Sequence, residues 1–316
     1  MNFSNTQLIN YKDRIKFSRE DKQKYQAQID YLISSIESRI LQEIDTKVLK
    51  VLQSGSWKKG TIIKPKDDVP IDIDLIFFLD IYKEDYSTLY HANELILPIL
   101  KSIYPQKNDT DFWDSSKTAG LEFVNSGLNV DIIPVGKTSD PDYVAQPDEN
   151  GTVYFTSPIK QLEFISDRRK ANSNYATIVR LLKKWRNFND VKLSSFAIEL
   201  IVAHLDINKG IEQNIQESLL RFFRLVSKKQ FPVLLFHAKY GTYQNDGSHV
   251  YIADPTYEEN NIVRSISDLD WNLVRIKADT AFETLLLAEE EEYITSTVDL
   301  WKEVFGVDFN INPIEN

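Results

Sequence analysis

The sequence predicts an α/β fold over residues 1–156 with a mixed sheet, followed by a mainly helical lobe over 157–316. The first observation is a set of β-branched and aromatic runs bounded by turn formers in the first half, at Val48 to Gln53, Ile71 to Leu79 and Leu128 to Val135. The second is that apolar residues recur at spacings of three and four through most of the chain after Pro158. The third is the stretch between them, residues 136–156, GKTSDPDYVAQPDENGTVYFT, whose density of turn formers marks a crossover between lobes. At 316 residues the chain exceeds the usual size of one domain, which also favours two lobes.

In chain order, residues 1–19 are polar and read as peripheral. An acidic helix start at Ser18-Arg19-Glu20-Asp21 opens a long amphipathic helix to about Asp45, with Tyr25, Ile29, Leu32, Ile33, Ile36, Ile40, Leu41 and Ile44 on its apolar side. Val48 to Gln53 reads as a strand, broken by Gly55-Ser56; a short helix and a loop lead to the second strand at Ile71. Ser87 to Ile103 is helical, with a kink expected at Pro98 and an end before Pro105. His91 and Glu94 on that helix read as solvated or capping groups. Asp109, Asp111 and Asp114 lie in a polar stretch that lacks the glycine and terminal glutamate spacing of a calcium loop, so a solvated loop is expected. Gly120 to Asn125, a turn at Ser126-Gly127 and Leu128 to Val135 form a predicted hairpin. The second half reads as helices over 158–166, 175–188, from Leu193 onward, and 211–228. Turns follow at Asp254-Pro255 and Asn260-Asn261, then closing helices between Asp268 and about Phe305, where Glu289 to Glu292 form a solvated acidic run.

The chemistry concentrates in residues 48–80. Asp72 and Asp74 are two apart on a strand, so alternation projects both carboxylates from one face, about 7 Å apart. Neighbouring like charges repel without a cation between them, and hard oxygen donors select Mg²⁺ or Mn²⁺ over zinc. Gly55-Ser56 at a helix start offers backbone N–H groups and a hydroxyl to an anion such as a phosphate chain. Taken singly, Gly-Ser also serves as an ordinary turn and the Asp pair as an exposed strand end.

Together, Gly55-Ser56-Trp57-Lys58-Lys59-Gly60-Thr61 followed by Asp72-Ile73-Asp74 resembles the signature of the DNA polymerase β-like nucleotidyltransferases. With Gly60-Thr61 and the loop Lys64-Pro65-Lys66-Asp67-Asp68 it is similar to the bacterial cGAS/DncV-like nucleotidyltransferases, the SMODS family, related to the oligoadenylate synthetases. The resemblance spans about residues 20–305 and makes the long helix a spine behind both lobes. It implies a third carboxylate from a later neighbouring strand, at Asp131 in Leu128 to Val135, with Glu122 next in line. Leu181-Leu182-Lys183-Lys184-Trp185 and Ser195-Phe196-Ala197-Ile198-Glu199-Leu200 look like the family's second-lobe elements, which implies Lys183 and Ser195 at the triphosphate and Phe196 against the base. The implied activity is nucleotidyl transfer between NTPs, ATP among them, closing to a cyclic di- or trinucleotide for antiphage (CBASS-type) signalling. Two metal ions would act in a cleft between the lobes, Asp72 and Asp74 binding both and Asp131 the one at the attacking hydroxyl. A separate effector and a regulatory protein are the implied partners. Pro70 departs from the pattern by limiting how early the second strand can pair.

Composition narrows the remaining classes. No run reaches the ~18 apolar residues of a membrane span, and the amino end lacks a secretory core, so a soluble, cytoplasmic protein is expected. The absence of cysteine excludes disulfides and thiolate chemistry, and four scattered histidines argue against a histidine-rich metal site. A net charge of −10 disfavours binding to long nucleic acid while leaving room for a local basic pocket. The same charge counts against an RNA or tRNA nucleotidyltransferase, and the chain is longer than most aminoglycoside or protein nucleotidyltransferases. A nucleotide-binding regulator without catalysis would not need three aspartates.

Overall fold

The computed structural model describes residues 3–65, 70–115, 118–147, 153–209 and 213–311, without the side chains of Tyr86 and Lys209. Lys66, Asp67 and Asp68 of the signature loop lie outside the described residues. The chain divides into two compact units, Phe17–Leu162 and Met1–Lys16 with Glu163–Asn316. The first helix, α1 (Asn5–Ile15), therefore belongs to the second unit, which corrects the reading of residues 1–19 as peripheral. Its Leu8 and Tyr11, with Phe3 before it, are buried in the core of that unit, where Phe3 meets Trp301 and Tyr11 meets Phe309.

In the first unit, α2 (Arg19–Glu43) starts where the sequence places it. The Ser18 hydroxyl accepts from the Asp21 N–H at 3.0 Å while the Asp21 carboxylate accepts from the Ser18 N–H at 2.8 Å, a reciprocal cap. Its Ile29, Leu32, Ile36 and Ile40 are fully buried, each worth about 1.5–3 kcal/mol relative to exposure. These side chains share one core with alternate residues of the strands. The strands are β1 (Val48–Gln53), β2 (Ile71–Tyr82), β3 (Phe112–Asp114), β4 (Ala119–Phe123), β5 (Leu128–Lys137), β6 (Val144–Pro147) and β7 (Val153–Thr156). They form one mixed sheet in the order β1-β2-β5-β4-β3, with β6 on β5 and β7 on β6. Among the described residues of this sheet the β2–β5 pair is parallel and the other pairings are antiparallel.

Pairing of β2 begins at Ile71, immediately after Pro70, with the Ile71 N–H donating to the Gly127 carbonyl at 2.8 Å. Proline thus sits where no ladder donor is needed. The β4–β5 hairpin closes through Ser126 and Gly127, the latter at φ +63°. The helix α3 (Gly55–Lys59) follows β1, and α4 (Tyr86–Ile103) carries Pro98 in its interior without ending there. Asp109 and Asp111 sit in a 3-10 turn, where they pair with Lys101 and Lys107.

The helical unit consists of α1, most of α5 (Pro158–Ala171), α6 (Tyr175–Asn189), α7 (Ser195–Lys209), α8 (Ile215–Val226), α9 (Asp268–Glu290) and α10 (Ile294–Phe305) around a separate core. The Asp254-Pro255 and Asn260-Asn261 segments make turns, as read from sequence. Asp254 accepts from the Thr256 N–H and hydroxyl at 2.8 Å, and Asn261 accepts from the Ile252 and Val263 N–H groups.

Candidate active site

The parallel register of β2 and β5 places Asp74 opposite Asp131 and Asp72 opposite Asn129. Ile71, Ile73 and Leu75 on β2, and Leu128, Val130 and Ile132 on β5, point into the core, so the intervening aspartates share the opposite face of the sheet. Asp72 is exposed there, and Asp74 and Asp131 are half-buried. The sequence thus delivers three carboxylates to one surface by alternation and register alone. Among the described residues no three such side chains are gathered at ion-binding distance.

Gly55 makes this surface possible. It stands at φ +64°, and a Cβ there would lie 1.8 Å from Asp74 Oδ2. The turn therefore presses its backbone against the carboxylate, and the Ser54 N–H donates to the Asp74 carbonyl at 2.8 Å. Behind it Trp57 is buried against Phe17 and Tyr25, which fixes α3, and Gly60 ends the helix in the left-handed region at φ 66°. The backbone N–H groups of Gly60 and Thr61 both donate to the Ser56 carbonyl, so these two signature residues close the turn. Ser56 is half-buried beside Gly55.

Three residues of this surface were not singled out by the sequence. Trp113, on the three-residue strand β3, donates its indole N–H to Asp131 Oδ1 at 2.8 Å. Its ring crosses Gly120, the register partner of Asp131, where a Cβ would come within 2.3 Å of the indole. Burial pushes the Asp131 carboxyl above the usual carboxylate range, and the indole bond offsets part of that rise. Asn129 shares this face two residues from Asp131, and its Oδ1 is buried with no hydrogen-bond partner among the described residues. An all-oxygen donor set with an unsatisfied amide oxygen beside it fits Mg²⁺ or Mn²⁺. The signal available in the sequence was weak, since a three-residue strand carries no periodicity.

Lys183, Ser195 and Phe196 belong to the other unit. Lys183 is 1% exposed, unlike a surface cation, and its ammonium donates to Glu199 at 2.9 Å. The two second-lobe motifs are therefore joined by an ion pair between α6 and α7. Ser194 caps α7, accepting from the Ala197 N–H at 3.0 Å, which leaves Ser195 in the first turn. There the Ser195 hydroxyl accepts from Arg186 at 3.1 Å, and the same guanidinium donates to the Leu193 carbonyl. Phe196 is half-buried against the helical core.

Residues 1–172 match the Second Messenger Oligonucleotide or Dinucleotide Synthetase domain. The chain is 30% identical to the CBASS oligonucleotide cyclase CdnC of Escherichia coli (strain KTE188), over 98% of this chain and 99% of the relative. It is 26% identical, over 94% of both chains, to the cyclic AMP-AMP-AMP synthase of E. coli (strain MS 115-1). The fold matches E. coli MS115-1 CdnC solved with ATP at a TM-score of 0.76, with 25% identity over 98% of this chain and 99% of that one. It matches CdnC in a complex with HORMA-deltaN at 0.75, with 24% identity over 96% and 98%. Matched over more than half its length to that domain and along nearly all of it to a CdnC cyclase, the chain belongs to the Second Messenger Oligonucleotide or Dinucleotide Synthetase family, the cGAS/DncV-like nucleotidyltransferases.

Proposed function

We propose that the protein is a metal-dependent nucleotidyltransferase that joins nucleoside triphosphates, ATP among them, into a cyclic di- or trinucleotide second messenger of antiphage defence. The observation that carries this reading is the sheet face that Asp72, Asp74 and Asp131 share beside the Gly55 turn. Family membership and the named activities of the two curated relatives support the cyclic product.

Divalent cations, when bound, supply neutralisation of the triphosphate and activation of the attacking hydroxyl. Asp72, Asp74 and Asp131 are the residues that would hold the cations, Asp131 on the side of the attacking hydroxyl. Trp113 fixes one oxygen of Asp131, leaving the other for a ligand. Gly55 and Ser56 present backbone and hydroxyl donors to phosphate. In the helical unit, Lys183 is paired with Glu199, Ser195 carries a hydroxyl beside Arg186, and Phe196 offers a ring to the base. The product acts on a separate effector, and a regulatory protein is a further partner; CdnC forms a complex with HORMA-deltaN. Among the described residues no helix is long and apolar enough to cross a membrane, and a cytoplasmic site of action suits this chemistry.

The test is to measure NTP affinity and single-turnover rate side by side for Asp131→Asn. Affinity near that of the unsubstituted protein with turnover down about a hundredfold or more is expected, because only a transition-state contact is lost. Trp113→Phe should fall in the same direction by about tenfold, the worth of one charge-assisted hydrogen bond. Normal turnover in Asp131→Asn would place the third ligand elsewhere, with Glu122 the next carboxylate to try.

A further inference from the structure

A cavity of about 520 Å³ opens in the helical unit between the C-terminal half of α7 and α8. That volume is within the range of small-molecule sites. One wall is Arg221 and Arg224, three apart on α8 so that they share a face, with Lys228 just past the end of that helix; the other is His204 and Asn208 of α7; Leu205, Leu225 and Pro232 complete it. The charge is concentrated along the chain as well. Between Glu217 and Asp246 there is no acidic residue, while Arg221, Arg224, Lys228, Lys229 and Lys239 all fall there, in a chain of net charge −10.

Neighbouring acids cancel only part of this charge at the cavity, since among the described residues no carboxylate pairs with Arg224 or Lys228. Asp206 of α7 is paired with Arg168, and Glu217 lies one turn back, paired with Arg221. Favourable placement of cations at a helix C-terminus accounts for one or two of these residues, but not for a cavity lined by all three. Burial lowers the tendency of His204 to protonate, and its ring stands edge-on to Phe236. The imidazole is thus a flat, neutral wall, suited to a ring system. Asn208 engages His204 through Nδ2, which keeps its Oδ1 as an acceptor for an exocyclic amine.

We propose that this cavity is a second binding site for a nucleoside phosphate, with the phosphates on Arg221, Arg224 and Lys228 and the base against His204, Leu205 and Asn208. It is separate from the base-stacking position assigned above. Phe196 is at the start of α7, and His204 and Asn208 are about 12–18 Å further along the helix at 1.5 Å per residue. The choice of a nucleoside over other organic phosphates rests on the proposed function, since both the substrate and the cyclic product of that reaction carry this chemistry. A site occupied by either would let the helical unit sense how much nucleotide is present.

The test uses hydrogen–deuterium exchange of the full chain in an Asp72→Asn/Asp74→Asn background, so that added nucleotide is not consumed. The probes are ATP, a cyclic dinucleotide, adenosine and inorganic tripolyphosphate. Protection of peptides covering 204–208 and 221–232 by ATP identifies the substrate as the occupant, and protection by the cyclic dinucleotide alone identifies the product. Adenosine should give none. In Arg221→Gln/Arg224→Gln/Lys228→Gln, whose changes lie at exposed or half-exposed positions on α8 and just past its end, that protection should disappear and affinity fall by about tenfold or more. Synthesis of product by the same triple variant in the unsubstituted catalytic background should persist. No protection by either nucleotide, protection that survives the triple change, or equal protection by tripolyphosphate would overturn the proposal. None of these outcomes bears on the carboxylate site, which is judged by product formation.

Discussion

Gly55 carries two demands at once, a positive φ and the approach of Asp74, and an alanine there meets neither. Gly55→Ala should abolish detectable nucleotidyl transfer while the protein still folds, because Asp74 must leave its place and the turn lies at the edge of the core. Measured activity within about tenfold of normal would show that Asp74 does not need the position it has here. Lys183 calls for a subtler experiment. Removing one partner of a buried pair leaves the other uncompensated, so Lys183→Ala should lower stability by about 3–5 kcal/mol in a denaturant titration. Replacing both partners, Lys183→Met with Glu199→Leu, should recover most of that stability. If the ammonium reaches phosphate, NTP affinity should stay reduced in the recovered double variant, and normal affinity there would make the pair a structural tie alone. The aspartates were legible in the sequence because strand alternation fixes which face they share. The partners of Asp131 and Lys183 were not, since Trp113 and Glu199 reach them across separate elements that no local pattern connects.

Among the elements, the long helix α2 and strands β1, β2 and β5 follow from capping, periodicity and β-branched runs, and the Ser126-Gly127 turn from its own chemistry. The element that the sequence misplaces is α1. Few of its residues are apolar, so its periodicity is weak, and its buried contacts are made with Trp301 and Phe309, nearly the whole chain away. Phe3 is 2% exposed in that cluster, edge-on to Trp301 at 5.2 Å. Phe3→Ala should therefore cost about 3–5 kcal/mol of stability, as for other buried aromatic side chains. A loss below ~1 kcal/mol would return the segment to the periphery. Strand β3 was equally invisible, being three residues long, yet it brings Trp113 to the site.

At the scale of the molecule, the expected lobes 1–156 and 157–316 differ from the observed units chiefly because Met1–Lys16 joins the helical one. The order of motifs along the chain was readable, and it led to the family that the comparisons establish. A net charge of −10 suits an enzyme whose anionic substrates are held by a local set of donors and cations rather than by a basic surface. The central question is whether the face bearing Asp72, Asp74 and Asp131 makes cyclic nucleotides. The direct measurement is incubation with labelled NTPs and Mg²⁺ or Mn²⁺, followed by phosphatase treatment and mass spectrometry, for the unsubstituted protein and for Asp72→Asn/Asp74→Asn. The prediction is small phosphatase-resistant cyclic products from the first and none from the folded double variant. Unchanged synthesis by the double variant, or tailed RNA in place of cyclic products, would contradict it.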